Sequence, residues 1–424
     1  MLLGVIADDL TGATDVALML AREGMRVVQT VGVPQHGVAL PKADAVVVSM
    51  KSRTNPAGEA VAWSLQACDA LRHAGARQIL FKYCSTFDST DQGNIGPVTE
   101  ALMRHLGVAW TVACPAFPEN GRSVYQGHLF VGDTLLSDSP MKDHPLNPMR
   151  DSNLVRVLAR QTSVPVGLVP YQTVSKGAAA TRAAFEALAH TGRAIGVADA
   201  ISNQDLRVLG EAFDGQLLLT GGSGIALGLP DNFRRAGLLP ASRQAHPFHA
   251  PEGHTAVLAG SCSAATRGQV AHAIAHGVEA FALDPLSIAS GEQTAQAVLD
   301  WAKPRLGAKP VLVYSTAEPD AVRAVQEQFG RDHSGQMIEA LLGAVAIGLH
   351  EAGVSRLVVA GGETSGAVVT ALGVSMLEIG PEIDPGVPWT LAADGKSIAL
   401  ALKSGNFGTV DFFTKALTML ETVQ

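Results

Sequence analysis

Two adjacent carboxylates follow the first apolar run of the chain. Residues 2–6 predict a short strand, Asp8 and Asp9 come soon after it, and the apolar spacing beyond Thr11 predicts a helix. Ligands of open α/β sheets bind at the carboxyl ends of the strands, where such turns lie. Two neighbouring carboxylates repel each other unless a cation or a hydrogen-bond donor relieves the repulsion. Asp9 or Thr11 could instead cap the helix, but a cap accounts for only one of the two carboxylates.

Basic and hydroxyl-bearing side chains accompany the apolar runs at 45–48 and 79–83. Arg53 lies in the turn KSRT after the first of these runs, and Lys82 lies near the end of the second. Arg and Lys can clamp a carboxylate, whereas Asp, Ser and Thr hydrogen-bond to hydroxyl groups. For either basic residue alone, the alternative is a surface charge or an ion pair. Together the turns predict a pocket for a small hydroxy acid, formed by Asp8, Asp9, Thr11, Arg53, Lys82, Ser85 and Asp88.

Three turns rich in glycine and serine follow predicted strands in the second half of the chain. They are GSCS at 260–263, GGETSG at 361–366 and SGNFG at 404–408. Small residues let backbone N–H groups approach an anion, and a following helix N-terminus adds a favourable dipole. Each turn alone could be only a tight turn, but several in one domain predict a phosphate cradle. The chain has neither G-x-x-x-x-G-K-[ST] nor a G-x-G-x-x-G after its first strand, which argues against a P-loop and a dinucleotide fold.

Two other kinds of site find little support in the sequence. The segment 133–151 carries several Asp residues and a His, but their spacing matches no zinc or EF-hand pattern, so we expect a solvated loop and no metal-ligating residue. No G-x-S-x-G elbow is present, which argues against a serine hydrolase.

Composition limits the partners and the compartment. The 424 residues are 47% hydrophobic and 17% charged, with a net charge of -8 and no basic run, so we expect no nucleic-acid partner. No apolar run approaches the roughly 20 residues that span a bilayer, and no signal-peptide pattern opens the chain. Its four cysteines form no C-x-x-C pair, which favours a reducing compartment. We therefore expect a cytoplasmic protein without a membrane partner, and the sequence leaves open whether it forms a homo-oligomer.

Alternating strand and helix patterns predict an α/β protein with two lobes. We expect an N-terminal domain at 1–239 with a doubly wound, mostly parallel sheet, and a hairpin inserted at 123–131. A segment without apolar periodicity at 240–254 is the expected linker. The C-terminal domain at 255–424 ends in a strand-rich stretch, which predicts a mixed sheet.

Taken together, these motifs resemble one known family. ADDLTGATD, KSRT, KYCSTFDST, GNIGPV, CPAFPENGR, VYQGHLFV, GGETSGAVV, IGPEIDPGVPW and LKSGNFG occur in order over nearly the whole chain and resemble the four-carbon acid sugar kinases. The segment 114–154 is most similar to the branch of that family that acts on 3-oxo-tetronate. A threonate or erythronate kinase of the same family is the first alternative. A non-catalytic sugar-acid-binding regulator is a more distant one, and an NAD-dependent dehydrogenase is disfavoured.

The resemblance implies ATP-dependent phosphorylation of the C4 hydroxyl of a four-carbon sugar acid. It implies that the N-terminal domain holds the acid and that the C-terminal domain holds ATP, so that closure must bring the two sites together. Mg²⁺ would be held mainly by the nucleotide phosphates, with Glu363 as one candidate carboxylate. The ATP contacts implied by motif are Ser261, Ser263, Gly361, Gly362, Glu363, Thr364 and Gly405, where the choice between the two serines stays open.

Four residues are the catalytic candidates. Asp8 or Asp9 would accept the proton of the substrate hydroxyl or orient that hydroxyl. Arg53 and Lys82 would hold the substrate carboxylate or stabilise the charge of the phosphoryl group during transfer. The sequence does not decide which aspartate is the base.

Overall fold

The computed structural model describes residues 1–34, 40–144, 147–243, 247–307, 309–315 and 331–421, with the backbone alone at 331–334 and 421. The contacts divide the chain into two compact units, Met1–Ala245 and His246–Gln424. Among the described helices, none has both the length and the apolar character needed to cross a membrane. The linker predicted at 240–254 stays a prediction, and its residues 244–246 lie outside the described part.

The N-terminal unit is built on a parallel sheet. The strands of this unit are β1 (Leu3–Ala7), β2 (Val27–Val31), β3 (Ala45–Ser49), β4 (Gln78–Lys82), β5 (Trp110–Cys114), β6 (Arg122–Tyr125), β7 (His128–Val131), β8 (Thr134–Leu135), β9 (Val166–Val169), β10 (Ala194–Ala198) and β11 (Leu218–Gly221). The parallel strands lie in the order β2-β3-β1-β4-β11-β5-β10-β9. Central strands such as β1 and β3 are buried along their whole length, as expected for apolar runs covered on both faces.

Helices connect these parallel strands. They are α1 (Leu10–Arg22), α2 (Ala57–His73), α3 (Ile95–Leu106), α4 (Leu154–Ala159), α5 (Tyr171–Val174), α6 (Ala178–Leu188), α7 (Asn203–Ala212) and α8 (Leu229–Arg235). Apolar residues at helical spacing give α1 one buried face, which includes Ala13, Val16, Ala17 and Leu20. The prediction of a doubly wound parallel sheet is confirmed.

The predicted hairpin is present and larger than expected. Strands β6 and β7 pair antiparallel, and β8 adds a third strand to this small sheet. The segment 133–151, expected to be a solvated loop, contains β8 and short 3-10 turns at Leu136–Asp138 and Pro140–Asp143. Short turns of this kind leave too little apolar periodicity to be recognised in the sequence.

The C-terminal unit has a mixed sheet, as predicted. Its strands are β12 (His254–Ala259), β13 (Glu279–Ala282), β14 (Val311–Tyr314), β15 (Val354–Ala360), β16 (Met376–Asp384), β17 (Val387–Ala392) and β18 (Ala399–Lys403). The order is β13-β14-β12-β15-β18-β17-β16, with the first five strands parallel and β17 and β16 antiparallel. Its helices are α9 (Ala264–Ala275), α10 (Pro285–Ala289), α11 (Ala295–Ala302), α12 (Arg331–Glu351), α13 (Gly362–Ala371) and α14 (Phe412–Glu421).

Candidate functional site

The charged turns of the N-terminal unit meet where the strand order reverses. β3 lies on one side of β1 and β4 on the other, so the carboxyl ends of these three strands border the topological switch point. The backbone ladder continues just past them, since Asp8 N–H donates to the Lys82 carbonyl and Ser52 N–H donates to the Asp8 carbonyl. Ligands of open α/β sheets bind in the crevice at this point.

Arg53 is the centre of a carboxylate cluster. Its Nε and Nη2 donate to the two carboxylate oxygens of Asp8 at 2.9 and 2.8 Å, which is a bidentate pair. Nη2 also donates to Asp9 Oδ1 at 2.7 Å, and Nη1 donates to Asp88 Oδ2 at 3.3 Å. One guanidinium therefore joins three predicted site carboxylates and relieves the repulsion between the adjacent aspartates.

Asp9 also caps helix α1. The cation contact and the helix cap, which the sequence offered as alternatives for this residue, are therefore both present. Its Oδ1 accepts from the N–H of Gly12 at 3.1 Å and lies 3.6 Å from Lys82 Nζ. Lys82 is buried and passes so close to Gly12 that a Cβ at this position would collide with its ammonium. A side chain at residue 12 would therefore displace the lysine ammonium from its position beside the cap.

The two aspartates have opposite pKa shifts. Burial raises the pKa of Asp8, and the neighbouring Arg53 only partly opposes it. Burial also acts to raise the pKa of Asp9, but Lys82, Arg53 and the Gly12 N–H outweigh it and lower this pKa. The pKa of Arg53 is raised, because the two carboxylates outweigh the effect of burial. Asp9 is therefore ionised at neutral pH, and environments that separate two carboxylate pKa values often mark acid and base roles.

Asn94, which the sequence analysis did not single out, holds the Arg53 turn in place. Its side-chain amide donates to the carbonyls of Ser52 at 2.8 Å, Arg53 at 3.2 Å and Asn55 at 2.8 Å. Asn94 is buried and lies directly before α3. These bonds span about forty residues, so only the fold reveals them; the only sequence signal was the quoted motif GNIGPV.

Asp88 lies in a strained turn after β4. It has φ of 48°, and Phe87 before it has φ of 63°, a region that residues other than glycine rarely adopt. Burial raises the pKa of Asp88 although Arg53 opposes it, and its Oδ1 is buried without a hydrogen-bond partner. Thr11 lies half-buried at the start of α1 and Ser85 lies half-buried in the turn after β4, so the substrate residues predicted from the sequence are brought to one edge of the sheet.

Asp15 on α1 is a further ionisable group near this cluster. Burial raises its pKa, and the charge of Lys82 opposes that effect. Lys82 thus opposes the effect of burial on two carboxylates, the cap residue Asp9 and Asp15 of α1. The sequence carried this signal as the last letter of ADDLTGATD, which the sequence analysis did not use.

A cavity of about 790 Å³ opens beside the turn that follows Asp88. Residues 89–92 form part of its lining, and Arg150, Arg156 and Arg160 contribute positive charge. Arg156 is paired in bidentate fashion with Asp151 at 2.6 Å. The loop expected to be solvated thus borders a cavity, and the described residues contain no group of three side chains suited to hold a metal ion.

The glycine-rich turns of the C-terminal unit also end neighbouring strands. β12, β15 and β18 are parallel neighbours, and the strand order reverses at β12. The turns at 260–263 and 361–364 therefore border the switch point, and the turn at 404–408 follows on the next strand. This is the second place in the molecule where a sheet offers a ligand crevice.

Hydrogen bonds join the first and third of these turns. Ser263 caps α9 by accepting from Thr266 N–H, and its hydroxyl donates to the Gly405 carbonyl at 2.6 Å. Thr266 Oγ1 donates to the same carbonyl at 2.8 Å. Ser261 Oγ accepts from Ser263 N–H at 3.2 Å and lies where a Cβ at Gly405 would have to be.

The second turn has a glycine pair with two different roles. Gly361 has φ of 130°, a conformation that other residues rarely adopt, and a Cβ there would press against Thr364. Gly362 opens α13, and a Cβ there would meet no atom within 4 Å. Glu363 is exposed in the first helical turn and Thr364 is buried behind it. The predicted nucleotide residues thus lie in two hydrogen-bonded turns and a helix start.

Similarity to known proteins covers nearly the whole chain. Residues 3–229 match a sugar-binding N-terminal domain and residues 256–413 match a nucleotide-binding C-terminal domain. The chain is 57% identical to 3-oxo-tetronate kinase of Burkholderia multivorans over 99% of its length and 97% of the relative's. It is 56% identical to the protein of that name in Cupriavidus necator, again over 99% of this chain and 97% of the relative.

A solved structure agrees with these matches. The crystal structure of a Haemophilus influenzae protein, 44% identical, superposes with a TM-score of 0.86 and covers 98% of this chain and 100% of that one. The family expected from the sequence motifs is thereby confirmed. The chain belongs to the four-carbon acid sugar kinases, a family of carbohydrate kinases with a sugar-binding N-terminal and a nucleotide-binding C-terminal domain.

Proposed function

We propose that this protein transfers the γ-phosphoryl group of ATP to the C4 hydroxyl of 3-oxo-tetronate. The observation that carries the proposal is the 57% identity, over 99% of the chain, to a protein named 3-oxo-tetronate kinase. The cluster around Arg53 supports it, because it presents an ionised carboxylate at the switch point of the sugar-binding domain.

Asp9 is the better candidate for the carboxylate that meets the substrate hydroxyl. Its side chain is 29% exposed, whereas that of Asp8 is 8% exposed and accepts hydrogen bonds from Nε and Nη2 of Arg53. In phosphoryl transfer such a carboxylate orients the nucleophilic hydroxyl and accepts its proton. Asp8 would then act on Arg53, and through it on the position of Asp9.

The contacts of Arg53 and Lys82 favour a role other than the two predicted from the sequence. Each donor group of Arg53 already meets a carboxylate, and Lys82 is buried against Asp9. We propose that both residues keep Asp9 ionised and in position. The direct clamping of the substrate carboxylate by these two residues, and their stabilisation of the phosphoryl group during transfer, stay predictions.

On the nucleotide side, we propose that the turns at 260–263, 361–364 and 404–408 hold the phosphates. Backbone N–H groups and the start of α13 suit anions, because a helix N-terminus carries partial positive charge. Mg²⁺ usually binds through one or two carboxylates together with substrate phosphates, and Glu363 fits this donor set. The ion would supply charge neutralisation of the phosphates.

The test is ADP release from purified protein with ATP, Mg²⁺ and one four-carbon acid at a time. We expect kcat/KM to be highest for 3-oxo-tetronate among 3-oxo-tetronate, threonate and erythronate. A preference for threonate or erythronate would instead assign the protein to another substrate of the same family. Binding of the acids without any acid-dependent ADP release would support a regulator that binds sugar acids and would overturn the proposal.

A further inference from the structure

Lys403 is a buried cation that the sequence analysis did not single out. It is the last residue of β18 and is only 2% exposed. Its ammonium donates to Thr266 Oγ1 at 3.0 Å and to the carbonyls of Ser404 and Gly405 at 3.1 Å each. All three protons of the ammonium therefore have partners on the turn or on α9.

These bonds determine how the turn presents its backbone. The carbonyls of Ser404 and Gly405 are drawn towards Lys403, and the Gly405 carbonyl also accepts from Ser263 and Thr266. In a trans peptide the C=O and N–H groups point in opposite directions. The N–H groups that follow these carbonyls, on Gly405 and Asn406, are therefore directed away from the lysine, as a pair suited to an anion.

Among the described residues, the positive charge of Lys403 has no acidic partner. No carboxylate of the described residues lies within ion-pair distance of its ammonium, and the Phe412 ring, 6.0 Å away, is its aromatic neighbour. A buried charge without a counter-ion is costly.

The charged side chains of the packed elements have other contacts. Arg267 of α9 donates to the Cys262 carbonyl, Lys415 of α14 pairs with Asp384, and Glu363 of α13 is exposed to solvent. Accordingly, burial alone lowers the pKa of Lys403 to about 8.

We propose that Lys403 is the positioning residue of the phosphate site: it turns the N–H groups of Gly405 and Asn406 outward, and its buried charge is compensated by the nucleotide polyphosphate. This inference rests on the proposed function, because it requires the C-terminal unit to bind a nucleotide. A nearby polyanion favours the charged form of an amine. Nucleotide binding therefore raises the proton affinity of Lys403 and draws a proton from solution.

The test is the binding of ATP measured by titration calorimetry in two buffers with different ionisation enthalpies. Because burial lowers the pKa of Lys403 to about 8, part of Lys403 is neutral at pH 8 before binding, so we expect a fractional proton uptake per nucleotide. Repeated at pH 6.5, the uptake assigned to Lys403 should vanish, because the lysine is already charged. Lys403→Met should abolish the uptake at pH 8 and weaken ATP binding about tenfold to hundredfold.

Two further variants separate the role of Lys403 from an effect on folding. Lys403→Arg retains a charge that does not titrate in this range, so it should abolish the uptake even if the methionine variant folds poorly. Lys396→Met is the matched control, because Lys396 donates to the Gly373 carbonyl in another turn of the same unit. It should keep both affinity and proton uptake.

Each contrary result has a distinct meaning. Tight ATP binding with no proton uptake in the wild type, or unchanged uptake in Lys403→Arg, would overturn the role of Lys403 and leave the kinase proposal intact. Absence of any nucleotide binding by the wild type would overturn both.

Discussion

At the scale of single residues, the cluster around Arg53 separates two aspartates that look alike in the sequence. Asp8 is buried and bound in bidentate fashion, whereas Asp9 is partly exposed, caps a helix and has a lowered pKa. The positions of Asp8, Asp9 and Arg53 could be predicted, because the carboxyl ends of parallel strands lie at one edge of a sheet. Their different roles could not be predicted, because burial and hydrogen-bond partners depend on the register of the strands.

The two aspartates should respond differently to the same substitution. Asp9→Asn should lower kcat at least about 100-fold and leave KM for ATP nearly unchanged, because the amide cannot accept the hydroxyl proton. Asn caps helices as well as Asp does, so the start of α1 should survive. Steady-state kinetics measures the effect, and Asp9→Asn with wild-type turnover would remove Asp9 from the mechanism.

Asp8→Asn is the matched variant for that experiment. It removes the carboxylate that binds Arg53 in bidentate fashion, and with it two charge-assisted hydrogen bonds, while Asp9 and Asp88 still contact the guanidinium. We therefore expect a lower melting temperature than that of Asp9→Asn, with a smaller loss of kcat. A larger loss of kcat in Asp8→Asn at equal stability would exchange the roles of the two aspartates.

At the scale of elements, two of the turns are held by side chains that lie outside the turn. Asn94 holds the Arg53 turn, and Lys403 with Ser263 and Thr266 holds the turn at 404–408. The sequence predicted these turns from glycine, serine and charge at strand ends. It did not reveal the residues that hold them, because their partners are backbone carbonyls, which every residue possesses.

Gly362 allows a test of the nucleotide turns with little effect on the fold. A Cβ there meets no atom of the described residues within 4 Å, so a side chain would extend into space where we propose that phosphate binds. Gly362→Leu should raise KM for ATP about tenfold or more and leave the melting temperature close to that of the wild type. Gly307→Leu, at another glycine with no neighbour within 4 Å, is the control and should change neither quantity. Equal ATP affinity in Gly362→Leu and wild type would place the cradle elsewhere.

At the scale of the whole molecule, the two α/β units place different kinds of residue at the same kind of position in their sheets. Each has a sheet whose strand order reverses, and each has its candidate residues at that reversal. The N-terminal unit places charged side chains there, which suits a hydroxy acid, whereas the C-terminal unit places glycines and hydroxyls, which suits phosphate. The alternation of elements predicted this architecture, but the small sheet of β6, β7 and β8 was predicted only in part, because β8 is two residues long.

The position of the phosphate in the product tests the central claim most directly. The reaction of ATP with 3-oxo-tetronate should be followed by phosphorus NMR with proton coupling. An ester at C4 couples to the two protons of one CH₂ group, so the account predicts a new triplet that grows as ADP appears. A doublet would contradict transfer to C4, because it marks an ester on C2, which carries a single proton. Inorganic phosphate as the only new product besides ADP would contradict it as well.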